Sequence, residues 1–244
     1  MKKNGKIKLA IIFLFMIQFY SIGQSQSGKI IFERKTNLEK KFKGFEDEWM
    51  KEFLAINKYK TDLFELYFTD STSLFKPVDS DLQEENSWTT VKNTVLFHFK
   101  KDEKLSKITI SGQDLFVKNS IQPKTWKITD SKRMIGNYVC TKAIWENSDT
   151  SKIYVWFSNE VLPSVGPESF YGLPGAVLGV ASEDGGVIYF AKSVELIPNV
   201  EDKIKLDLKK KKIMTSDEFK SEMEESIGDS KFEKKFLADL FTWM

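Results

Sequence analysis

Short runs with a two-residue hydrophobic period constrain the fold of this chain more than any other feature. In Lys152 to Phe157, apolar residues occupy both phases of the alternation, which is typical of a strand covered on both faces. Turn-length polar segments separate the runs, for example Lys100 to Lys104 and Ser111-Gly112. Closely spaced strands with such short connections predict an antiparallel meander.

The same period predicts strands along most of the chain. They are Gly28 to Asn37, Leu63 to Thr69, Ser73 to Lys76, Thr94 to Phe99, Lys107 to Ile110, Asp114 to Lys118, Trp126 to Thr129, Asn137 to Glu146, Lys152 to Phe157, Ala176 to Ala181 and Gly186 to Leu196. The last two are joined by Ser182 to Gly185, whose Asp-Gly pair predicts a tight hairpin turn.

Helical signals are fewer and lie near the two ends of the mature chain. Phe45 to Asn57 carries an aromatic stripe at four-residue spacing, and we expect this helix to pack on the concave face of the sheet, with a groove between them. Thr215 to Glu218 is a capping box that predicts a helix to about Glu225. A second short helix is expected around Phe232, Phe236, Leu237 and Leu240.

These elements predict an α+β fold. We expect a large, curved, mainly antiparallel sheet with a helix packed on one face and short C-terminal helices. About 220 mature residues suit one such domain.

The first residues have the organisation of a secretory signal peptide. Four lysines precede the uncharged apolar run Leu9 to Tyr20, and the small residues of Ser21-Ile22-Gly23 follow. The run is about 12 residues long, whereas a membrane-spanning helix needs about 20. We therefore expect a signal peptide over residues 1–23 and a single domain over 24–244. The mature chain should be exported to the periplasm, possess no transmembrane helix, and either remain soluble or associate with the outer membrane.

Charge argues against nucleic-acid binding. The chain has 37 Lys and Arg against 35 Asp and Glu, but four of the lysines lie in the signal peptide. The mature net charge is then 33 minus 35, or −2. No net positive field is left to neutralise phosphates, so nucleic acid is not an expected partner.

Several catalytic chemistries lack their residues. Cys140 is the single cysteine and His98 the single histidine, so we predict neither a metal site nor a cofactor, and no catalytic residue. A Ser-His-Asp triad would depend on His98, near which no partner is marked. We interpret His98 as structural and Cys140 as a buried thiol, with a redox-active or acylated cysteine as the alternative.

Two proline-containing bends flank an aromatic segment. Gly172-Leu173-Pro174-Gly175 predicts a rigid turn leading into the Ala176 strand, and Gly166-Pro167 a second fixed bend. The loop closes one end of the sheet with Leu173 in the core, or it presents Phe170, Tyr171 and Leu173 as a docking surface for a ligand or partner. Trp156 is a further candidate, lining an apolar cavity or packing in the core.

An ordered set of motif residues lies between residues 125 and 196. They are Trp126, Gly136, Tyr138, Cys140, Gly166, Pro167, Gly172, Leu173, Pro174 and Gly175. In type and order they resemble the motifs of the GLPGLI family of Bacteroidetes. Asn137, between Gly136 and Tyr138, and Ala176-Val177, where the family has Leu-Ile, depart from the pattern. The resemblance extends over roughly residues 28 to 225, and it implies an exported, mostly periplasmic protein whose molecular function is not established.

Three functional hypotheses follow. The first is a periplasmic binding or accessory protein that holds an apolar small molecule or assists an outer-membrane or periplasmic protein. The second is a structural or assembly component that docks through the Gly166 to Gly175 loop. The third is a hydrolase, which requires two acidic side chains that converge in a pocket with raised pKa values. The absence of a recognisable catalytic set favours the first.

Overall fold

A computed structural model describes residues 26–45, 47–79, 85–110, 112–146, 152–208, 211–226, 237–238 and 240–243. The expected signal peptide lies outside these residues. The described part contains twelve strands and three α-helices. The strands are β1 Gly28–Asn37, β2 Tyr59–Phe68, β3 Thr72–Pro77, β4 Asn93–His98, β5 Glu103–Ile110, β6 Gln113–Asn119, β7 Lys127–Ile135, β8 Tyr138–Glu146, β9 Lys152–Ser158, β10 Ala176–Ser182, β11 Val187–Leu196 and β12 Ile213–Met214. The helices are α1 Leu38–Lys41, α2 Glu48–Ile56 and α3 Ser216–Ser226.

All twelve strands belong to one sheet, in the order β12-β6-β5-β4-β3-β2-β1-β11-β10-β9-β8-β7. Every pairing is antiparallel except the short parallel pair of β12 and β6. Two meanders, β2 to β6 and β7 to β11, are joined through β1, which pairs with β2 on one side and β11 on the other. The predicted α+β, mainly antiparallel fold is confirmed.

The connection from β6 to β7 requires the sheet to curl. Ten inter-strand spacings separate these two strands in the sheet order, which amounts to about 48 Å across a flat sheet. Residues 120–126 join them, and even a fully extended chain of this length reaches only about 28 Å. The two ends of the sheet must therefore approach each other, which encloses an interior on the concave face.

That interior is filled by the main apolar core. Inward-facing residues of β1 and β2, such as Phe32 and Phe64, pack with side chains of β8 to β11. The connection between β9 and β10 enters the same space, where Phe170 is fully buried. Tyr171 of this connection reaches β4, with its ring centroid 5.1 Å from that of Phe97. The β9–β10 connection therefore bridges the two meanders from inside.

Helix α2 packs at the end of the sheet where the chain passes from β1 to β2. Its buried Met50 contacts Leu38 and Phe42, and the Phe53 ring lies 5.2 Å from that of Trp88. Adjacent antiparallel strands pin both ends of segment 38–58 to this end of the sheet, so the nine-residue helix stays above the turn. The expected groove between helix and concave face is replaced by a cleft elsewhere, to which α2 contributes no residue.

The C-terminal part covers the β6 side of the sheet. The predicted capping box is confirmed: the Thr215 backbone N–H donates to Glu218 Oε2 at 2.8 Å, and the Glu218 N–H donates to Thr215 Oγ1 at 3.2 Å. Helix α3 then packs Phe219 against β5 and β6. Of the predicted second helix, Phe232 and Phe236 lie outside the described residues, whereas 237–238 and 240–243 are helical. Within the described ranges, none of the helices combines the length and apolar character required to span a membrane.

Candidate functional site

Three polar residues form a row across neighbouring strands on the concave face. The strand register places Asp62 of β2 directly opposite Arg34 of β1, and Arg34 directly opposite Tyr189 of β11. Alternation along β1 puts Arg34 on the same inward face as the buried Ile30 and Phe32. The row therefore lies at one end of the apolar core, where burial makes each polar contact count.

Arg34 and Asp62 form a buried ion pair that fixes the row. Arg34 donates from Nε and Nη2 to Asp62 Oδ2, at 3.1 and 2.7 Å. Its Nη1 donates to the Val91 carbonyl at 2.8 Å and to the Tyr189 hydroxyl at 3.3 Å. The Thr90 hydroxyl also donates to Asp62 Oδ2 at 3.0 Å. Most of the donors of Arg34 are thus committed within the protein, so this guanidinium orients its neighbours.

Glu168 joins the row from the β9–β10 connection. Its Oε1 accepts a hydrogen bond from the Tyr189 hydroxyl at 2.7 Å, and its Oε2 accepts one from Asn93 Nδ2 at 3.2 Å. Burial raises the pKa of Glu168, although the Arg34 charge and these two hydrogen bonds oppose the shift. Glu168 also has φ of +53°, a left-handed conformation that a non-glycine residue seldom adopts. Backbone strain and a buried carboxyl group at one position are typical of functional sites.

The glycine- and proline-containing bends hold this loop in place. A Cβ on Gly166 would lie 2.4 Å from the Phe170 carbonyl oxygen, and one on Gly175 would lie 2.0 Å from the Ser158 oxygen. The Gly175 N–H donates to the Leu173 carbonyl at 2.7 Å, which closes a tight turn around Pro174. The predicted turn into the Ala176 strand is therefore present, and its glycines allow backbones to approach too closely for any side chain.

A cleft of about 400 Å³ opens beside the row. Its floor is polar and buried, and includes Arg34, Asn93, Glu168 and Tyr189. Its walls are mainly apolar, formed by Val91, Ile153, Val187, Leu240 and Trp243. Charged residues surround its mouth, namely Lys40, Lys41, Lys152, Glu183 and Asp184. Concave sites of this size, apolar with a few convergent polar groups, are typical of small-molecule binding.

The C-terminal Trp243 links the cleft to the core. Its ring centroid lies 5.5 Å from those of both Tyr189 and Phe170. The aromatic wall is therefore continuous with the packing that supports Glu168 from behind.

Compared by sequence, the chain matches no family profile and no curated protein. Compared by structure, it is similar to PNGF-II in two crystal forms, with TM-scores of 0.53 and 0.55, 14% identity and 80% of this chain covered. The chain spans about a third of the PNGF-II chain, 32% and 33% in the two forms. An uncharacterized conserved protein from Thermus thermophilus gives a TM-score of 0.42 at 7% identity, over 83% of this chain and 98% of that one. At these identities the likeness to PNGF-II concerns the fold alone.

The four predicted binding residues, Phe170, Tyr171, Leu173 and Trp156, do not line the cleft. Phe170 and Leu173 are 1% and 3% exposed and pack in the core, so neither ring nor side chain can meet a docking partner in this conformation. Tyr171 is half-buried against Phe97, and its hydroxyl donates to the Gln122 carbonyl. Trp156 packs on the Phe190 ring at 6.1 Å. Phe170 supports the site from within, and none of the four lines the cleft.

The remaining motif residues shape the same region or more distant turns. Trp126 donates from Nε1 to the Tyr171 carbonyl at 2.9 Å, which ties β7 to the loop. Gly136 opens the two-residue turn between β7 and β8, next to the half-buried Tyr138. Gly166, Pro167 and Leu173 are buried, whereas Gly172 and Pro174 are exposed. The loop thus faces inward over residues 165–170.

The two single residues of reactive type are remote from the cleft. Cys140 is fully buried, and burial, together with the Glu160 charge, raises its pKa to about 11. The prediction of a buried free thiol is confirmed. His98 ends β4 and pairs in register with Thr72 and Glu103, away from the cleft lining. Within the described residues, no group of three His, Cys, Asp or Glu side chains is placed to hold a metal ion.

Two lysines near the β9–β10 connection have lowered pKa values. Lys104 approaches the Ser169 hydroxyl at 3.5 Å, and burial lowers its pKa to about 8. Burial and the neighbouring Lys104 charge lower the pKa of Lys124 to about 8, and its ammonium lies 4.2 Å from the Trp145 ring centroid. Neither lines the cleft. The Lys104 charge acts on Glu168 and opposes the rise of its pKa.

Of the buried acids Asp62, Glu65 and Glu168, only Glu168 lines the cleft, so they do not converge as a hydrolase would require. Asp62 lies beneath Arg34 and does not line the cleft, whereas Glu168 does. The other acids of the lining, Glu183 and Asp184, are exposed on the β10–β11 turn. The arrangement therefore offers one buried carboxylate among hydrogen-bonding groups, which suits recognition better than paired acid–base chemistry.

Proposed function

We propose that this protein is an exported binding protein that holds a small, partly apolar molecule in the cleft of its curled sheet. The observation that carries the proposal is the cleft itself. Its walls are apolar and include Val187 and Trp243, and its floor consists of buried, oriented polar groups. Apolar walls favour a hydrocarbon body, whereas a fixed polar floor specifies one polar end. The ligand is therefore amphipathic rather than wholly apolar.

The floor supports recognition because its polar groups hold one another in place. Arg34 is held by Asp62, Tyr189 by Arg34 and Glu168, and Glu168 by Asn93. A site whose polar groups are already in position loses little conformational freedom on binding. The strained backbone of Glu168 is consistent with a residue kept at this position for its chemistry.

Filling the cleft provides the direct test. Val187→Trp places a large ring on the wall, and we expect at least about tenfold weaker binding of diphenylhexatriene, a hydrocarbon dye that fluoresces in apolar surroundings. Val139→Trp is the matched control, because Val139 is exposed on β8 and lies outside the cleft. Equal dye affinity of the two variants, both folded by circular dichroism, would reject the cleft as the binding site.

We also propose that the chain is exported and related to the GLPGLI proteins. The basic start, the apolar run Leu9 to Tyr20 and the small residues up to Gly23 support export. The order of the Gly-Pro and Gly-Leu-Pro-Gly bends supports the relationship, and those bends hold Glu168 in place. Cell fractionation with N-terminal sequencing should find a periplasmic chain that begins near residue 24. A cytoplasmic chain that retains residues 1–23 would contradict export.

The inward orientation of the loop favours binding in the cleft over docking through Gly166 to Gly175. Val165 to Phe170 are buried, which leaves little of this loop for a protein partner to contact. An accessory role beside an outer-membrane or periplasmic protein is compatible with the proposal, since a carrier delivers its ligand to a partner.

A further inference from the structure

The floor of the cleft holds an acceptor that lacks a donor. Asn93 is 3% exposed and lines the cleft. Its Nδ2 donates to Glu168 Oε2 at 3.2 Å, but its Oδ1 has no hydrogen-bond partner within the part of the chain that the structure describes. A buried acceptor without a donor is unfavourable. A ligand that donates to this oxygen would therefore supply the hydrogen bond that it lacks.

A second acceptor lies next to it. Each oxygen of Glu168 accepts one hydrogen bond from the protein, Oε1 from Tyr189 and Oε2 from Asn93, and a carboxylate oxygen can accept more than one. The hydrogen bond from Asn93 Nδ2 to Glu168 links the two side chains directly. The floor thus presents a carboxylate and an amide oxygen side by side.

Among the described residues of the floor, the hydroxyl donors and most of the Arg34 donors are committed to other acceptors. The single hydroxyl hydrogen of Tyr189 goes to Glu168, and that of Thr90 goes to Asp62. Arg34 directs N–H groups to Asp62, Val91 and Tyr189. The floor therefore has more free hydrogen-bond acceptors than free donors.

We propose that the polar end of the ligand is a nitrogen group with at least two N–H hydrogens, an alkylammonium or a primary amide. This inference rests on the proposed binding function. One N–H donates to Asn93 Oδ1 and another to Glu168. A hydroxyl has one hydrogen to give and can serve only one of the two acceptors. A carboxylate has none and is repelled by Glu168.

Glu168 distinguishes the two forms of nitrogen group. Its carboxylate is faced by Arg34, Tyr189 and Lys104, and Arg34 is in turn paired with Asp62. An ammonium gains from the Glu168 charge, since charge-assisted hydrogen bonds are the stronger ones. A neutral primary amide depends on the acceptor geometry but much less on that charge.

Four ligands with one hydrocarbon chain and different ends test the head group. Octylamine, octanamide, octanol and octanoate should be titrated into the wild-type chain by calorimetry. Octylamine or octanamide should bind at least about tenfold tighter than octanol and octanoate. Octanol or octanoate binding as tightly as both nitrogen ligands would overturn the head-group assignment while leaving the cleft as an apolar site. If none of the four binds and diphenylhexatriene does not bind either, both proposals are wrong.

Two substitutions connect the preference to its residues. Asn93→Leu keeps the branched shape of the side chain and removes the open acceptor, so octanamide should fall to within about twofold of octanol, whereas octylamine retains the Glu168 charge and should lose less. Glu168→Gln keeps the shape and removes the charge, so it should weaken octylamine by about tenfold or more and octanamide by much less. A folded Asn93→Leu variant that retains the full preference for nitrogen would contradict the proposal. If Asn93→Leu does not fold, the wild-type series and Glu168→Gln still decide.

Discussion

Replacing Arg34 by Met is expected to reduce the free energy of unfolding by about 3–5 kcal/mol. The side chain of Asp62 is 0% exposed, and Arg34 Nη2 lies 2.7 Å from its Oδ2. Without the guanidinium, a carboxylate remains buried with the Thr90 hydroxyl and with Lys92, whose ammonium lies 3.7 Å from Oδ1. These cannot replace a guanidinium that donates two hydrogen bonds to the same carboxylate oxygen. Urea unfolding followed by tryptophan fluorescence measures the loss.

The double variant separates the loss of the pair from the loss of packing. Arg34→Met combined with Asp62→Leu removes both charges, and it should recover most of the stability, because apolar replacements of buried pairs are often neutral or stabilising. Lys118→Met is the surface control: Lys118 lies 2.6 Å from Glu103 with half of its side chain exposed, and its loss should cost less than about 1 kcal/mol. If Arg34→Met reduces the free energy of unfolding no more than Lys118→Met does, the buried ion pair does not stabilise the fold as proposed.

Replacing Gly175 by Ala is expected to cost about 2–4 kcal/mol. A Cβ at this position would lie 2.0 Å from the Ser158 oxygen and 2.9 Å from the Asn159 Cα, both backbone atoms. Gly175 also has φ of +151°, in a region that is accessible almost exclusively to glycine. The backbone must move, and with it the loop that carries Glu168. Thermal and urea unfolding report the stability, and dye binding reports the cleft.

Gly136→Ala is the control that separates the steric clash at Gly175 from the effect of a positive φ alone. Gly136 also has positive φ, at +57°, but a Cβ there would meet nothing within 4 Å. Its substitution should cost about 1–2 kcal/mol and leave dye binding unchanged. If Gly175→Ala costs no more than Gly136→Ala, the close approach of the two backbones is not what the glycine provides.

The fold could be predicted because its determinants are local. Alternation predicts which residues of β1 face inward, and the Asp-Gly turn predicts the β10–β11 hairpin. The capping box at Thr215 is likewise read within four residues. The position of α2 could not be predicted in this way. An aromatic stripe indicates that a helix packs against something, but it does not identify the surface that the helix contacts. Pinning of segment 38–58 between β1 and β2 decides that.

The site was less accessible from the sequence, although part of its signal is present. Arg34 follows Ile30 and Phe32 at the inward phase of β1, and Asp62 precedes Phe64 at the inward phase of β2. Two opposite charges on buried phases of consecutive strands indicate a buried pair. Glu168 carries no such signal, because its position depends on a loop conformation and on contacts with residues 75 and 21 positions away. The bends and the neighbouring Phe170 are the stronger signal in the sequence, and Phe170 packs in the core beside Glu168.

Native mass spectrometry of the chain purified from its own cells tests the central claim most directly. The account predicts a mature chain accompanied by one small organic molecule that is released on unfolding and carries a primary amine or amide. The Val187→Trp variant, prepared in the same way, should lack that molecule, whereas Val139→Trp should retain it. Wild-type and Val187→Trp chains with identical masses beyond the substitution, both without a bound molecule, would contradict it.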